Sequence, residues 1–268
     1  MCQSLLDAFK WRHSVRSYTS EFTQDQDKAV RSAVEEANGW DTPFHTNTLL
    51  AITNRKVDYY GYVLNDIGCI LALVPKNLPE ELKYKSMVDV SFRAQIAVMR
   101  ISQHKIGTVW LGGTFNRQQA GIDFPDYEIL VCIPYGNESP NLTPTAKNLM
   151  KSIRPDTRKP IEKLFYNVQE KKSYTEETSG ELLPMFTAIR WGPSAINQQG
   201  WTFAVDGKEM HVYYDNSMNY IEPDTGIALG NIALLLKEKD IEPKFYVKET
   251  PPPSYLGGSY VCSCVIQK

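Results

Sequence analysis

The sequence lacks a strong charge of either sign. Its 268 residues carry 29 basic and 31 acidic side chains, for a formal net charge of -2. A chain so close to neutral has no overall field with which to hold nucleic acid or an anionic membrane. We therefore expect neither as a partner, although a local anion site is still compatible with this balance.

Long apolar runs and a cysteine framework are also missing. The longest mainly apolar stretches, Ile67–Val74 and Ile227–Leu236, are too short to cross a bilayer. The cysteines fit neither a metal-ligand pattern nor an even disulfide framework, and the first residues do not read as a signal peptide. There are five of them: Cys2, Cys69, Cys132, Cys262 and Cys264. We expect a reduced, cytoplasmic protein without a metal site.

The first half of the chain mixes helical and strand-like periodicity. Apolar residues at helical spacing predict helices over Ser4–Lys10, Asp25–Asn38 and Val90–His104. Short aliphatic runs predict strands over Thr48–Thr53, Cys69–Pro75 and Tyr127–Ile133. From Asn137 to Arg158 the composition shifts to Pro, Thr, Asn and Lys, which is typical of a linker.

The pattern then restarts. Trp201–Asp215 reads as a hairpin with a turn at Asp206-Gly207. Asp224–Val247 is a helix leading into a strand, with the same opening Asp and the same apolar register as Asp89–Leu111. We infer two diverged copies of one α+β unit, residues 1–168 and 169–268, packed as one pseudo-symmetric domain.

A basic cluster near the start suggests an anion site. The run "KWRHSVRSY" places Arg12, His13 and Arg16 around the hydroxyl of Ser14. Guanidinium groups, a hydroxyl and backbone N–H groups are suited to charge-assisted hydrogen bonds with phosphate. The same residues could instead form a solvated helix end whose cations complement the helix dipole.

Two further stretches carry the chemistry needed to hold a flat heteroaromatic ring. "RWGPSAINQQGWTF" (Arg190–Phe203) combines Ser, Asn and two Gln with small residues just before a strand. "GTVWLGGTF" (Gly107–Phe115) places a Gly pair after a strand, where the backbone can approach a ligand closely. Amide side chains offer both donors and acceptors, although each stretch alone could be an ordinary loop.

Together these stretches resemble the FMN-dependent nitroreductase superfamily. "RHSVRSY" resembles its Arg-x-Ser-x-Arg/Lys phosphate motif, and "GPSAINQQGW" its Pro-Ser-x-x-Asn-x-Gln-Pro-Trp stretch. "GTVWLGG" resembles the strand and loop beside the flavin, and "RPDTRKPIEKLF" (Arg154–Phe165) the basic stretch with Arg-Lys-Pro-Leu. The resemblance implies an α+β nitroreductase-like fold, with central antiparallel and mixed sheets flanked by helices.

The distribution of the motifs departs from the ordinary family pattern. Ordinary members are homodimers whose FMN sites take the phosphate motif from one subunit and the Pro-Ser-x-x-Asn loop from the other. Here the first half has the phosphate motif, but "GWDTPFHTNTLLAIT" stands where the loop is expected, and the second half has the loop alone. The chain thus resembles a branch first seen in thermophilic bacteria, a fused pseudo-dimer. We expect one FMN per chain, a monomer, and an altered loop where Gly200 replaces the usual Pro.

The resemblance also implies roles for individual residues. Cofactor contacts are expected from the phosphate motif, from the backbone N–H groups beside flavin N5, from the basic stretch and from the polar loop. These are, in turn, Arg12, His13 through its backbone, Ser14 and Arg16; Leu111, Gly112 and Gly113; Arg158 and Lys159; and Pro193, Ser194, Ala195, Asn197 and Gln199.

The implied activity is a ping-pong oxidoreduction. Hydride passes from NADH or NADPH to flavin N5, and electrons then pass to a small acceptor such as a nitroaromatic or a quinone, so that no side chain need act catalytically. The alternatives are an FMN-binding or storage protein and a dehalogenase-like or flavin-consuming enzyme of the same fold. The sequence leaves open the acceptor and the choice between NADH and NADPH.

Overall fold

The computed structural model describes residues 4–153 and 157–267, and these fall into two compact units that divide at residues 154 and 155. The first unit contains α1 (Leu5–Trp11), α2 (Gln24–Asn38), β1 (Leu49–Thr53), β2 (Gly68–Pro75), α3 (Glu80–Gln103), β3 (Gly107–Thr108), α4 (Arg117–Ala120), β4 (Tyr127–Gly136) and α5 (Pro144–Ile153). The second contains β5 (Phe165–Asn167), β6 (Lys172–Ser173), α6 (Leu183–Trp191), β7 (Trp201–Asp206), β8 (Glu209–Tyr214), α7 (Ile221–Glu238), β9 (Phe245–Tyr246) and β10 (Ser259–Val265).

The first unit is built on an antiparallel sheet with the order β1-β2-β4-β3. Its central strand β2 is buried along nearly its whole length, since α3 contacts β2 and a second layer covers Cys69, Leu71 and Leu73. That second layer includes Val15 and Tyr18. The N-terminal basic cluster therefore belongs to a segment that packs on the sheet, which accounts for the burial of Arg12 and Arg16, whereas His13 is exposed.

Hydrogen bonds fix the backbone of residues 14–18 on both sides. The Val15 N–H donates to the Thr108 carbonyl at 3.0 Å, and the Tyr18 N–H donates to the Leu64 carbonyl at 3.0 Å. The Tyr18 hydroxyl, which is buried, lies 2.7 Å from the carbonyl of Val15 and 3.0 Å from that of Pro134. A segment held at three places presents its side chains in a defined geometry.

The second unit contains a mixed sheet with the order β6-β5-β7-β8-β10-β9. β7 and β8 form the predicted hairpin, with its turn at Gly207, and β5 lies parallel to β7. Residues 157–168 belong to this unit through β5, whereas the boundary expected from the sequence, after residue 168, puts them in the first half.

The two units share one topology, which confirms the repeat inferred from the sequence. In the first, a hairpin β1-β2 is followed by the long helix α3, a short edge strand β3 and a last strand β4 paired with both β2 and β3. In the second, β7, β8, α7, β9 and β10 follow in the same order with the same antiparallel pairings. β5 and β6 are additions at the outer edge of this second copy.

Two stretches differ from the sequence expectation. α3 begins at Glu80, ahead of the predicted start at Val90, and its first turn carries Glu80 and Glu81 after Pro79. The predicted linker contains α5, whose first turn is capped because the Ala146 N–H donates to the Thr143 hydroxyl at 3.0 Å. Of the basic stretch that begins at Arg154, the residues Arg154, Pro155 and Asp156 lie outside the described ranges.

The described residues also bear on the expectations for disulfides, membrane-spanning helices and metal clusters. Cys69, Cys132, Cys262 and Cys264 are buried and are not in disulfides, whereas Cys2 lies outside the described residues. Within residues 4–153 and 157–267, no helix combines the length and the hydropathy that a membrane span requires. The same ranges contain no cluster of three or more His, Cys, Asp or Glu able to hold a metal ion.

The packing of Val15 against β3 predicts that Gly107→Ala destabilises the chain. A Cβ on Gly107 would lie 2.7 Å from Val15 Cγ2, which forces the segment off the sheet and should lower the free energy of unfolding by about 1–3 kcal/mol. Gly39→Ala is the matched control, because its Cβ meets nothing closer than 3.4 Å. Urea unfolding of both variants measures the difference; equal midpoints would contradict this packing.

Candidate functional site

Arg16 is the least satisfied cation of the basic cluster. Its residue is only 7% exposed, its Nε has no hydrogen-bond partner, and its Nη1 makes one long contact of 3.4 Å to the Ser14 carbonyl. Burial lowers the pKa of the Arg16 guanidinium, and within the described part of the chain no carboxylate pairs with it. A buried guanidinium without a counter-ion is costly, so this position is suited to an anion from outside the protein.

The neighbours of Arg16 lie along the same short segment. Arg12 is the C-cap of α1 and is 8% exposed, and its N–H donates to the Ala8 carbonyl at 2.8 Å. Ser14 forms an isolated β-bridge with Thr108. The His13 ring lies 2.9 Å from Glu138 Oε1 and 3.0 Å from the Trp11 carbonyl, so its side chain is already engaged and only its backbone remains as a phosphate donor.

The expected flavin-side backbone at residues 111–113 follows β3 in the same unit. The bridge between Ser14 and Thr108 brings the phosphate motif beside the strand that leads into this loop. The Leu111 N–H, however, donates to the Cys132 carbonyl at 3.0 Å, so it is not available to a ligand. Of the three backbone N–H groups expected beside the flavin, those of Gly112 and Gly113 therefore remain as candidates.

The loop between α6 and β7 in the second unit holds an unusual backbone conformation. Three residues that are not glycine have positive φ, namely Ile196 (43°), Asn197 (59°) and Gln199 (47°). Left-handed conformations cost roughly 1–3 kcal/mol each and persist only where surrounding bonds enforce them. The β-branched Ile196 is also 63% exposed, so core packing does not explain its conformation. Such strain is typical of a ligand-binding loop.

Gln199 ties the end of this loop to the basic stretch. Its Oε1 accepts the Lys159 N–H at 2.7 Å, and its Nε2 donates to the Arg190 carbonyl at 2.8 Å. Both ends of the amide are thus used within the protein, and Gln199 is 1% exposed. Gln199, which was expected to contact the cofactor, therefore shapes the loop through its side-chain amide. Its neighbour Gln198 has a buried Oε1 without a hydrogen-bond partner.

The other predicted residues of the second unit lie around the same loop. The Ser194 hydroxyl accepts the Gln199 N–H at 3.0 Å, and Asn197 Nδ2 donates to the Thr157 carbonyl at 3.0 Å. Lys159 Nζ donates to the Gln199 carbonyl at 3.0 Å, and burial lowers the pKa of this ammonium group. Lys159 therefore braces the loop, with residues 157–159 held against it.

The Arg158 side chain is held by the ring of Trp191. Its guanidinium carbon lies 4.7 Å from the centre of the Trp191 ring, within the range of a cation–π interaction. Trp191 is the last residue of α6, and Pro193 follows it by two positions. The predicted basic and polar stretches thus come together at one end of α6.

Asp224 is a buried carboxylate to which the sequence motifs assign no role. It lies in the first turns of α7 and is 2% exposed. Its Oδ1 accepts the Ala195 N–H at 2.9 Å, and its Oδ2 accepts the Tyr214 hydroxyl at 3.1 Å. Burial raises the pKa of Asp224 to about 7, and the two hydrogen bonds only partly offset this effect. The signal in the sequence was the Asp that opens both copies of the repeat.

The departure at Gly200 has a steric cause. A Cβ at this position would lie 2.8 Å from Tyr214 Cζ and 2.8 Å from Met218 Sδ. The ring of Tyr214 therefore occupies the space that any residue larger than glycine would need, including the usual proline. Since the Tyr214 hydroxyl also binds Asp224, the glycine and the buried carboxylate belong to one arrangement.

A separate cleft of about 410 Å³ in the first unit is a weaker candidate. Its lining includes Lys76, Arg117 and Glu128. Lys76 Nζ donates to the Pro125 carbonyl at 2.7 Å, and Arg117 Nη2 donates to the Gly112 carbonyl at 2.5 Å. Both cations already bind the backbone, so this cleft lacks the unsatisfied group that distinguishes Arg16.

With these features in place, the fold and motifs define an oxidoreductase of the nitroreductase class. A family model described as "Putative TM nitroreductase" matches residues 4–235. The chain belongs to this nitroreductase family. A search of curated proteins gives no match.

Solved structures extend the comparison. A "putative nitroreductase" from Thermotoga maritima has 17% identity and a TM-score of 0.63, covering 99% of this chain and 95% of its own, so the two share a fold. A nitroreductase family protein from Clostridium difficile has 17% identity and a TM-score of 0.42, covering 53% and 88%. A "putative nitroreductase" from Desulfovibrio desulfuricans, described as in complex with FMN, has 20% identity and a TM-score of 0.39, covering 55% and 96%.

The raised pKa of Asp224 predicts a stability difference between the wild type and Asp224→Asn that depends on pH. Between pH 3.8 and about 7 the folded chain keeps a proton that the unfolded chain has lost, so the free energy of unfolding falls as pH rises through this window. The difference in favour of the variant should grow by up to about 4 kcal/mol and then level off. Urea unfolding at a series of pH values measures it; a constant difference would contradict a neutral buried carboxyl.

Proposed function

We propose that this protein is an FMN-dependent oxidoreductase. Arg12, Ser14 and Arg16 hold the FMN phosphate, with the backbone of His13 nearby, and the loop at residues 193–199 borders the ring system. The electron donor is NADH or NADPH, and the acceptor is a small molecule such as a nitroaromatic or a quinone. Family membership supports the oxidoreductase class, and the residues themselves support the cofactor.

The observation that carries the proposal is the state of Arg16. Its guanidinium is buried, has an unpartnered Nε and pairs with no described carboxylate. A phosphate supplies both the missing charge and the missing acceptors. The backbone of residues 14–18 is fixed by hydrogen bonds to Thr108 and Leu64, so the segment that carries Arg16 need not be reorganised when the anion arrives.

The remaining residues position the cofactor and need no catalytic side chain. When bound, FMN supplies the centre that accepts hydride and passes on electrons. The loop at residues 193–199 would contact the ring through backbone groups and through Asn197 and Gln198, because the amide of Gln199 is used within the protein. Gly112 and Gly113 would present backbone N–H groups where negative charge develops on reduction.

Further parts of the assignment stay predictions. We expect one FMN per chain, because the phosphate motif occurs in the first unit alone and the polar loop in the second alone. A chain that combines both elements of a dimeric site is expected to be a monomer, and its location is expected to be cytoplasmic. Sedimentation analysis combined with flavin quantification tests the first two.

Arg16→Met is predicted to weaken FMN binding without lowering stability. Loss of a hydrogen bond to a charged group costs about 1.5–3 kcal/mol, so the Kd for FMN should rise at least ~10-fold. The free energy of unfolding of the apoprotein should stay the same or rise, since a buried unpaired charge is removed. The double variant Arg12→Ala with Arg16→Ala should purify folded and colourless. Flavin fluorescence quenching measures affinity.

Arg93→Met is the matched control for this prediction. Arg93 is another partly buried arginine of the first unit, and its Nη1 donates to the Ala37 carbonyl at 3.0 Å and to the Asn38 carbonyl at the end of α2. This variant should lower stability and leave the Kd for FMN unchanged. Wild-type affinity in Arg16→Met, or equal losses in both variants, would refute the phosphate assignment.

Reduction by a nicotinamide separates an enzyme from a storage protein. Under anaerobic conditions, NADH or NADPH should bleach the flavin absorbance of the purified holoprotein, and a quinone or nitroaromatic should restore it. Stopped-flow absorbance measures both half-reactions. Bound flavin that neither nucleotide bleaches, yet dithionite does, would identify a protein that binds FMN without turnover.

A further inference from the structure

The loop at residues 193–199 is held by one buried carboxylate at its start. Asp224 Oδ1 and Oδ2 lie 2.9 and 3.2 Å from the Ala195 nitrogen, immediately before the strained residues Ile196 and Asn197. The end of the loop is held separately by Gln199. The conformation of the residues between these two anchors therefore depends on the Asp224 bond at one side.

The first unit contains the same device at the equivalent place. Asp89 in α3 accepts the N–H groups of Phe44 and Thr46 at 3.0 and 2.9 Å, and the hydroxyls of Thr42 and Thr46 at 2.9 and 2.7 Å. These residues form the loop between α2 and β1, just as the Asp224-bound loop lies between α6 and β7. Both copies thus bind the loop before the first strand with an Asp on the following long helix.

The two carboxylates differ in how well they are satisfied. Asp89 accepts from two N–H groups and two hydroxyls, whereas Asp224 accepts from one N–H and one hydroxyl. The groups that face Asp224 are the Ala195 N–H and the Tyr214 hydroxyl, and the acidic Glu222 and Asp215 lie near that tyrosine. Asp224 is therefore a buried, poorly compensated carboxylate that holds the Ala195 N–H, while another hydrogen bond at the start of the loop, that between the Ser194 hydroxyl and the Gln199 N–H, lies within the loop itself.

We infer that Asp224 is a positioning residue for the cofactor: its carboxylate, through the Ala195 N–H, holds the loop at residues 194–199 in the shape that receives FMN. This inference rests on the proposed function. This role explains why a carboxylate that lowers stability is present at this position. The carboxylate fixes a strained loop before the ligand arrives, and this pre-organisation favours binding. Asp89 fixes a loop without the Pro-Ser-x-x-Asn residues and has no such role.

Asp224→Asn, with Asp89→Asn as the matched control, tests the inference at about pH 8, where Asp224 is ionised. The variant at Asp224 should raise the apoprotein's free energy of unfolding, speed hydrogen exchange at the Ala195 amide and raise the Kd for FMN about 10-fold. A merely structural residue would move stability and affinity in the same direction. Asp89→Asn should speed exchange at Phe44 and Thr46 and leave the Kd within about two-fold.

Ala195→Pro removes the bond itself, whereas Asp224→Asn only replaces the charged acceptor of the Ala195 N–H with a neutral amide oxygen. Proline lacks the N–H, and Ser194 already has the extended conformation (φ −144°, ψ 157°) that a residue before proline prefers. This variant should also weaken FMN binding about 10-fold, and it keeps the test decisive if Asp224→Asn does not fold. Unchanged affinity in either folded variant would overturn the inference. A wild-type chain that binds no FMN would overturn the proposed function itself, while exchange at Ala195 would still report whether Asp224 holds the loop.

Discussion

A buried positive charge without a partner is the constraint on which the site depends. Removing a guanidinium from water costs several kcal/mol unless an anion compensates it, and the fold nevertheless places Arg16 at 7% exposure. The segment around it is fixed by bonds to Thr108 and Leu64 and by the packing of Val15 and Tyr18 on the sheet. The first unit thus maintains an electrostatic cost that an incoming phosphate would offset.

In the second unit, the unfavourable energy lies in the strained backbone of the loop at residues 193–199. Ile196, Asn197 and Gln199 have positive φ in a loop that is held at Ala195 by Asp224 and at Gln199 by Lys159 and Arg190. Asp224 is itself penalised by burial, as its raised pKa reflects. A buried charge and a strained loop are different forms of pre-organisation, and the function we propose uses both.

The sequence predicted the elements whose signals are local and periodic, and missed those set by distant contacts. Alternation of apolar and polar residues predicts the hairpin at Trp201–Tyr214, and helical spacing predicts the helix α7, which contains Asp224. The shared register of the two helices predicts the repeat. The helix α5 was missed because proline and polar residues outweighed the cap at Thr143, which binds Gly61 as well as Ala146. The use of the Gln199 amide could not be foreseen, since Lys159 is 40 residues away and the bond to the nearby Arg190 carbonyl depends on how the loop folds back on the end of α6.

We propose that the chain holds one FMN by its phosphate and that both kinds of pre-organisation serve this ligand. Calorimetric titration of the apoprotein with FMN and with riboflavin tests it most directly, because the two differ only in the phosphate. We predict one site per chain and at least ~100-fold tighter binding of FMN, as two charge-assisted hydrogen bonds would provide. Equal affinities, or two equivalent sites per chain, would contradict the account.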